Sequence, residues 1–278
     1  MGDELLRLPL TPLGRTGLTV SRLCLGTGTT TFDSESAQSK LAVERFGRVL
    51  LHAHAQGITF WDTSDNYGTH AHVAWALRQL PRASVQITSK TYAVTAEEAR
   101  HSVQQSLREL GTDYIDILLM HEPDSPEELA ERAGALAGLQ ACKAEGLVRA
   151  VGLSTHAILT LETAAGRPDL DVLLTNYNLA EVHMDAGLPD YTRALEKAHA
   201  AGQGVIVMKT LGEGKLAHRR HEAIPYNLTR PFIDAVVVGM MDEAQVDDTL
   251  AIARPHLARP VNGEASPSTT ETPPGPQP

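Results

Sequence analysis

Only two cysteines, Cys24 and Cys142, occur in the 278 residues. Two thiols cannot build a disulfide framework, and their scarcity suits a reducing compartment. Basic residues are also few: 24 Lys and Arg stand against 34 Asp and Glu, a formal net charge of −10. That balance argues against nucleic acid or an anionic membrane surface as a partner. No apolar run approaches the ~20 residues of a membrane-spanning helix. The first residues include Asp3, Glu4 and Arg7 without an apolar stretch, so no signal peptide is expected. Met1-Gly2 lacks Ser or Thr at position 6, which argues against myristoylation. A cytoplasmic protein is the expectation. Neither Cys-x-x-Cys nor His-Glu-x-x-His appears. The pairs His52/His54 and His70/His72 are two residues apart, a spacing that points to different faces of a helix. Most of the 12 histidines are therefore expected at the surface or its boundary, and no metal site is expected.

What the chain does have is a series of short apolar runs rich in β-branched residues. They lie near Leu23–Leu25, Ile58–Trp61, Val85–Ser89, Tyr114–Met120, Val148–Leu153, Val172–Thr175, Gly204–Met208 and Ala235–Val238. Apolar on both faces, they read as parallel strands buried on both sides. Helical stretches separate them. Over Ala96–Leu110 the apolar Ala99, Val103, Leu107 and Leu110 recur at helical spacing. Thr95 with Glu98 forms a capping box there, and Gly111 suits the position just past the end. Ser125-Pro126-Glu127-Glu128 opens the next helix in the same way. Near His221–Leu228, Pro225 argues for a poor helix. Eight strand–helix units predict an α/β fold, a single-domain (β/α)8 TIM barrel over residues 1–258. The Pro/Ser/Thr-rich residues 259–278 are expected to form a disordered tail. The alternative, an open doubly wound sheet, would need Gly-x-Gly-x-x-Gly after an early strand. Gly26-Thr27-Gly28 lacks the third glycine.

In such a barrel the active site lies at the C-terminal ends of the strands and in the loops after them. Chemically matched polar residues fall just past those ends. They are Asp62 and then Tyr67 after the second run, Lys90 after the third and His121 after the fourth. An acid, a phenol, an amine and an imidazole together point to proton transfer to an oxygen, and so to an enzyme. Ser154 and Thr155, Asn176, Lys209 and Gly239 follow the next four runs. Any one of them alone reads equally well as a strand turning to solvent.

Several segments resemble the aldo-keto reductase family. They are Leu13-Gly14-Arg15-Thr16-Gly17-Leu18-Thr19-Val20-Ser21, Asp62-Thr63-Ser64-Asp65-Asn66-Tyr67-Gly68, and the stretch from Ser106 through Leu110-Gly111-Thr112-Asp113-Tyr114 to Asp116. Gly146 to Ser154 and Val236-Val237-Val238-Gly239-Met240 extend the likeness to about Leu250. The resemblance implies a TIM barrel, a nicotinamide cofactor, NADH or NADPH, across the mouth, and reduction of an aldehyde or ketone. Tyr67 would be the general acid and Lys90 the cation that lowers its pKa. Asp62 would hold Lys90, and His121 would sit beside the carbonyl oxygen and fix its direction. Ser154 matches the family's nicotinamide contacts, whereas Thr155 stands in for Asn. Leu174 occupies the place of a Gln for which Asn176, two residues on, could substitute. Leu211, Gly212 and Gly214 resemble a pyrophosphate loop, with Lys209 and Lys215 adding positive charge. After the eighth run, Gly239, Met241, Gln245 and Asp248 fall on cofactor positions. NADP is the family habit, but here Gln245 replaces the usual Arg among Asp242, Glu243, Asp247 and Asp248, which favours NAD. An open site for small or medium carbonyl compounds is expected. Two other functions stay open: a Schiff-base lyase using Lys90 or Lys209, and a catalytically silent cofactor-binding sensor or partner protein.

Overall fold

The computed structural model describes residues 8–29 and 35–258. The expected tail lies outside the described residues. An antiparallel hairpin comes first, β1 (Leu10–Pro12) paired with β2 (Thr19–Ser21). Eight parallel strands follow: β3 (Leu23–Gly26), β4 (Phe60–Asp62), β5 (Gln86–Thr91), β6 (Ile115–His121), β7 (Val148–Thr155), β8 (Val172–Asn176), β9 (Gly204–Met208) and β10 (Ala235–Gly239). They pair in chain order, and β10 closes on β3 to complete the barrel.

The helices are α1 (Val43–Ala55), α2 (His70–Leu77), α3 (Ala96–Leu110), α4 (Pro126–Glu131), α5 (Ala133–Ala144), α6 (Ile158–Ala164), α7 (Leu188–Ala200), α8 (Arg220–Leu228) and α9 (Glu243–Ala253). None is long and apolar enough to cross a membrane among the described residues. The capping box on α3 forms as its sequence predicts: Thr95 accepts from Glu98 N–H, and Gly111 ends the helix at φ 65°. Two helices depart from the sequence reading. The helix expected from Pro126 onward breaks at Arg132 into α4 and α5. Around Pro225, α8 is a helix after all. Buried Ile224 and Leu228 anchor it to the core, and the Asn227 side chain donates to the Tyr177 carbonyl and to Thr210 Oγ1. Tertiary packing outweighs the cost of the proline.

Strand parity places the site. Residues alternate between the barrel interior and the layer under the helices. On β6, Ile117 and Leu119 belong to the interior cluster, while Leu118 and Met120 face the helices. His121 therefore continues the inward row. The same two-residue step leads from Phe60 to Asp62 on β4 and from Leu174 to Asn176 on β8. Leu13, Leu18 and Val20 of the hairpin share that interior cluster, so its apolar residues help fill the barrel and the polar row at the strands' C-terminal ends is left to line a cleft. Seven of the eight strands end one or two residues further than the sequence runs suggested, because ladder hydrogen bonds extend through these polar residues.

Candidate active site

Lys90, only 1% exposed, is the centre of the site. Its ammonium donates to Asp62 Oδ1 and Oδ2 at 2.7 and 2.8 Å and to the Thr63 carbonyl at 2.9 Å. Burial alone would push the lysine pKa down, but the Asp62 charge, Tyr67 and their hydrogen bonds turn the balance, and it is raised. Burial raises the Asp62 carboxyl against the opposing pull of Lys90. The short bidentate contact is that of an ion pair. The same ammonium stands 4.6 Å from the centroid of the Tyr67 ring.

Tyr67 does not behave as the sequence suggested. Lys90 lowers its pKa as expected, but the net effect of the surroundings pushes it up to about 12. Burial is the largest cause, and the Asp62 and Glu122 charges add to it against the pull of Lys90. Tyr67 is thus a protonated phenol at neutral pH, ready to donate. Gly28 makes room for its ring: a Cβ there would lie 2.2 Å from Tyr67 Cε2.

His121 meets the Tyr67 ring edge-on with centroids 5.8 Å apart, and the Tyr92 ring stacks on it at 4.4 Å. Burial first, and then the charges of Lys90, His156 and Arg132, hold its pKa well below 6.5. The imidazole is neutral. Arg132, at the break between α4 and α5, fixes the surrounding backbone. Its buried guanidinium donates to the carbonyls of Thr91, Ala93 and His121, tying the ends of β5 and β6 to the helix layer.

A cavity of about 650 Å³ extends from Asp62, Tyr67 and His121 to Gln245, Asp248 and Thr249. Lys209, Leu211, Gly214, Gly239 and Met241 also line it, and Gly212 is buried beside Gly214. Lys209 and Glu213, both at positive φ, pair at 2.8 Å; such backbone strain concentrates at ligand sites. At the far end, Asp242 caps α9 by accepting from Gln245 N–H, and Gln245 Oε1 accepts from Met241 N–H. Arg220 lines this end and donates to Asp248 at 2.6 Å.

The structure does not bring Ser154, Thr155 or Asn176 to the cavity wall. Ser154 Oγ donates to the Met120 carbonyl at 3.4 Å and Thr155 Oγ1 to the Pro123 carbonyl at 3.0 Å, so both hydroxyls hold backbone. Asn176 donates to the His183 carbonyl at 2.7 Å, and its Oδ1 is buried without a partner. Lys215 is not on the wall either; Lys209 and Arg220 are. His70 and His72 are buried rather than at the surface, against Glu109 and Ser89 and against the Leu41 carbonyl. Among the described residues no group of three or more His, Cys, Asp or Glu could hold a metal ion.

Sequence reasoning missed Gly28, Asn66, Tyr92, Glu122, His156, Glu213 and Arg220, all on the cavity wall. Tyr92, Glu122 and His156 each sit one residue past the end of a barrel strand, so the rule that found His121 could have found them. Arg220 lies far from any strand end and gave no signal.

The cavity is large enough for a small-molecule ligand. Its volume lies in the range of cofactor clefts, about 300–1,000 Å³. Two cations line it, Lys209 paired with Glu213 and Arg220 paired with Asp248.

Comparison with known proteins adds three findings. The family model described as "Aldo/keto reductase family" matches residues 22–234. Among curated relatives, "Probable aldo-keto reductase 1" of Glycine max is 28% identical over 217 residues, covering 73% of this chain and 59% of that protein. The "NADH-specific methylglyoxal reductase" of Escherichia coli is 27% identical over 201 residues, covering 63% of this chain and 60% of that protein. The chain thus spans about three-fifths of the length of these relatives. A crystal structure from Pseudomonas aeruginosa assigned to the aldo-keto reductases is similar at a TM-score of 0.76 with 27% identity, covering 92% of this chain and 97% of that one.

Proposed function

Because the chain belongs to the aldo/keto reductase family, we propose that it is an oxidoreductase reducing an aldehyde or ketone with a nicotinamide cofactor, with Tyr67 as general acid. The carrying observation is the buried Lys90–Asp62 pair beside a protonated Tyr67, with neutral His121 at the same end of the cavity. A bound nicotinamide would supply hydride to the carbonyl carbon. Negative charge then builds on the carbonyl oxygen and must be met by a proton or a positive field. Tyr67 delivers the proton. Lys90 stabilises the phenolate left behind, worth about 1.4 kcal/mol for each pKa unit of differential interaction. Asp62 keeps Lys90 ionised and in place. A neutral His121 orients the substrate without a second positive charge. Lys209 and the backbone around Gly212 and Gly214 would hold the diphosphate, and Arg220, Gln245 and Asp248 border the adenosine end.

The lyase alternative loses support where Lys90 would be the amine. A Schiff base needs a neutral amine, and Asp62 holds Lys90 as ammonium. On the cofactor, Arg220 is, among the described residues, the lining cation beside Gln245 and Asp248, and it already faces Asp248, so NADH should serve at least as well as NADPH. The E. coli relative's NADH specificity is consistent with this. The test is consumption of NADH and NADPH against a panel of aldehydes and ketones. Carbonyl-dependent oxidation of either cofactor is expected. Binding without turnover across the panel would favour a silent cofactor-binding protein and overturn the reading.

A further inference from the structure

Among the described residues, four carboxylates line the cavity: Asp62, Glu122, Glu213 and Asp248. Three of them touch a cation. Asp62 holds Lys90 at 2.7 Å, Glu213 holds Lys209 at 2.8 Å and Asp248 holds Arg220 at 2.6 Å. Glu122 touches neither a lysine nor an arginine among the described residues. The Tyr92 hydroxyl donates to its Oε2 at 2.7 Å. Two imidazoles lie beside its Oε1, His156 Nε2 at 3.2 Å and His121 Nε2 at 3.8 Å.

Neither imidazole offsets the charge. Burial and then the Lys209 charge lower the His156 pKa from 6.5, against the opposing charges of Glu122, Asp124 and Glu213. His121 is held lower still, by burial and by Lys90. Both rings are therefore neutral at pH 7 and above. The charges acting on His156 are one cation against three carboxylates. Lys209 and Glu213 pair with each other, which leaves Glu122 and Asp124 uncompensated on this side of the mouth.

The carboxylate has a fixed place. Glu122 follows His121 at the end of β6 and sits at φ 50°, a conformation few non-glycine residues adopt. Its backbone N–H donates to the Ser154 carbonyl at 2.8 Å. Backbone, Tyr92 and His156 thus hold the side chain at the Tyr67 end of the cavity. Burial is the main cause of the raised Tyr67 pKa, and the Glu122 charge adds to it, so its field reaches the reacting position. The Tyr92 ring, stacked on His121 at 4.4 Å, lines the cavity beside it. A carboxylate next to an aromatic ring attracts a cation and repels an anion. The Glu122 side chain is 30% exposed, so solvent screens this field only in part.

We propose that Glu122 filters substrates by charge: the Tyr67 end of the cavity takes carbonyl compounds that carry an ammonium group and turns away those that carry a carboxylate or phosphate. Glu122 meets the charged substituent, while Tyr67 serves the carbonyl oxygen. The inference rests on the carbonyl-reduction reading above and deepens it to a substrate class.

The test uses three benzaldehydes that differ at the para position: carboxylate, carboxamide and trimethylammonium. Wild type should show the highest kcat/KM on the trimethylammonium compound and the lowest on the carboxylate. Glu122→Gln keeps the shape and an acceptor for Tyr92 and removes the charge. It should raise the carboxylate-to-carboxamide ratio of kcat/KM about tenfold and lower the trimethylammonium-to-carboxamide ratio by a similar factor, about 1.4 kcal/mol each. A change in the Tyr67 phenol acts on all three compounds and cancels in the ratios. Glu122→Lys should carry both ratios further the same way. Ratios within twofold of wild type in both variants overturn the filter and leave carbonyl reduction intact. So does a wild type that reduces simple aldehydes but not the trimethylammonium compound. If wild type reduces no carbonyl compound with either cofactor, the carbonyl-reduction reading fails and the filter falls with it.

Discussion

Replacing Asp248 by Asn should shift cofactor preference toward NADPH. Asp248 holds Arg220 at 2.6 Å beside the end of the cavity opposite Tyr67. The two side chains are 46% and 40% exposed, so the solvent-screened limit applies. At about 4 Å in a water-like dielectric, one unit-charge contact is worth about 1 kcal/mol. The substitution acts twice: it removes a carboxylate that would repel a 2′-phosphate of nearly two negative charges, and it frees Arg220 to pair with that phosphate. Discounting each for exposure to about 0.5–1 kcal/mol gives about 1–2 kcal/mol in total. That is a five- to thirty-fold rise in the NADPH-to-NADH ratio of kcat/KM. The assay is steady-state reduction of one aldehyde with each cofactor at low ionic strength, repeated near 1 M salt, where a Debye length of about 3 Å should remove most of the shift. Arg220→Gln should move the ratio the other way. A ratio that stays within twofold in Asp248→Asn, or a shift that survives high salt intact, would show that neither side chain faces the phosphate.

Lys90→Met should abolish most turnover and also destabilise the fold, since it leaves Asp62 buried without its partner, a cost of about 3–5 kcal/mol. Adding Asp62→Asn should recover much of the melting temperature and none of the activity; recovery of both would remove the pair from the mechanism. Gly28→Ala should cut kcat far more than it lowers the melting temperature, because its Cβ would meet the Tyr67 ring at 2.2 Å; a wild-type kcat would show that the ring has no fixed place. His121 has a folded pKa well below 6.5, so folding favours its neutral form. The stability this contributes is present above about pH 6.5 and lost as pH falls below it. Melting temperature against pH should therefore drop less steeply below 6.5 in His121→Gln than in wild type, and parallel curves would contradict the burial argument. The Tyr67 phenol, raised to about 12, should give no basic limb from its own titration between pH 7 and 9; a limb in kcat that Lys90→Met displaces would show a much lower pKa.

The sequence made the barrel legible because β-branched runs buried on both faces leave a strong local signal, and the position just past each run's end picked out Asp62, Lys90 and His121. The break at Arg132 was not legible. It depends on a guanidinium reaching the Thr91 and Ala93 carbonyls, 41 and 39 residues away in sequence. The Tyr67 pKa was misjudged for a related reason. Sequence shows the lysine that lowers it, but not the burial or the Glu122 charge that raise it. Ser154 matches the family and Thr155 stands where its Asn is usual, yet their hydroxyls face backbone carbonyls rather than the cavity, and only coordinates reveal that direction.

The most direct test is single-turnover reduction of an aldehyde by wild type and by Tyr67→Phe, both saturated with NADH. The account predicts that Tyr67→Phe folds, binds NADH with nearly wild-type affinity and transfers hydride at least about 100-fold more slowly, the scale of general acid catalysis. Hydride transfer at the wild-type rate in Tyr67→Phe would contradict it.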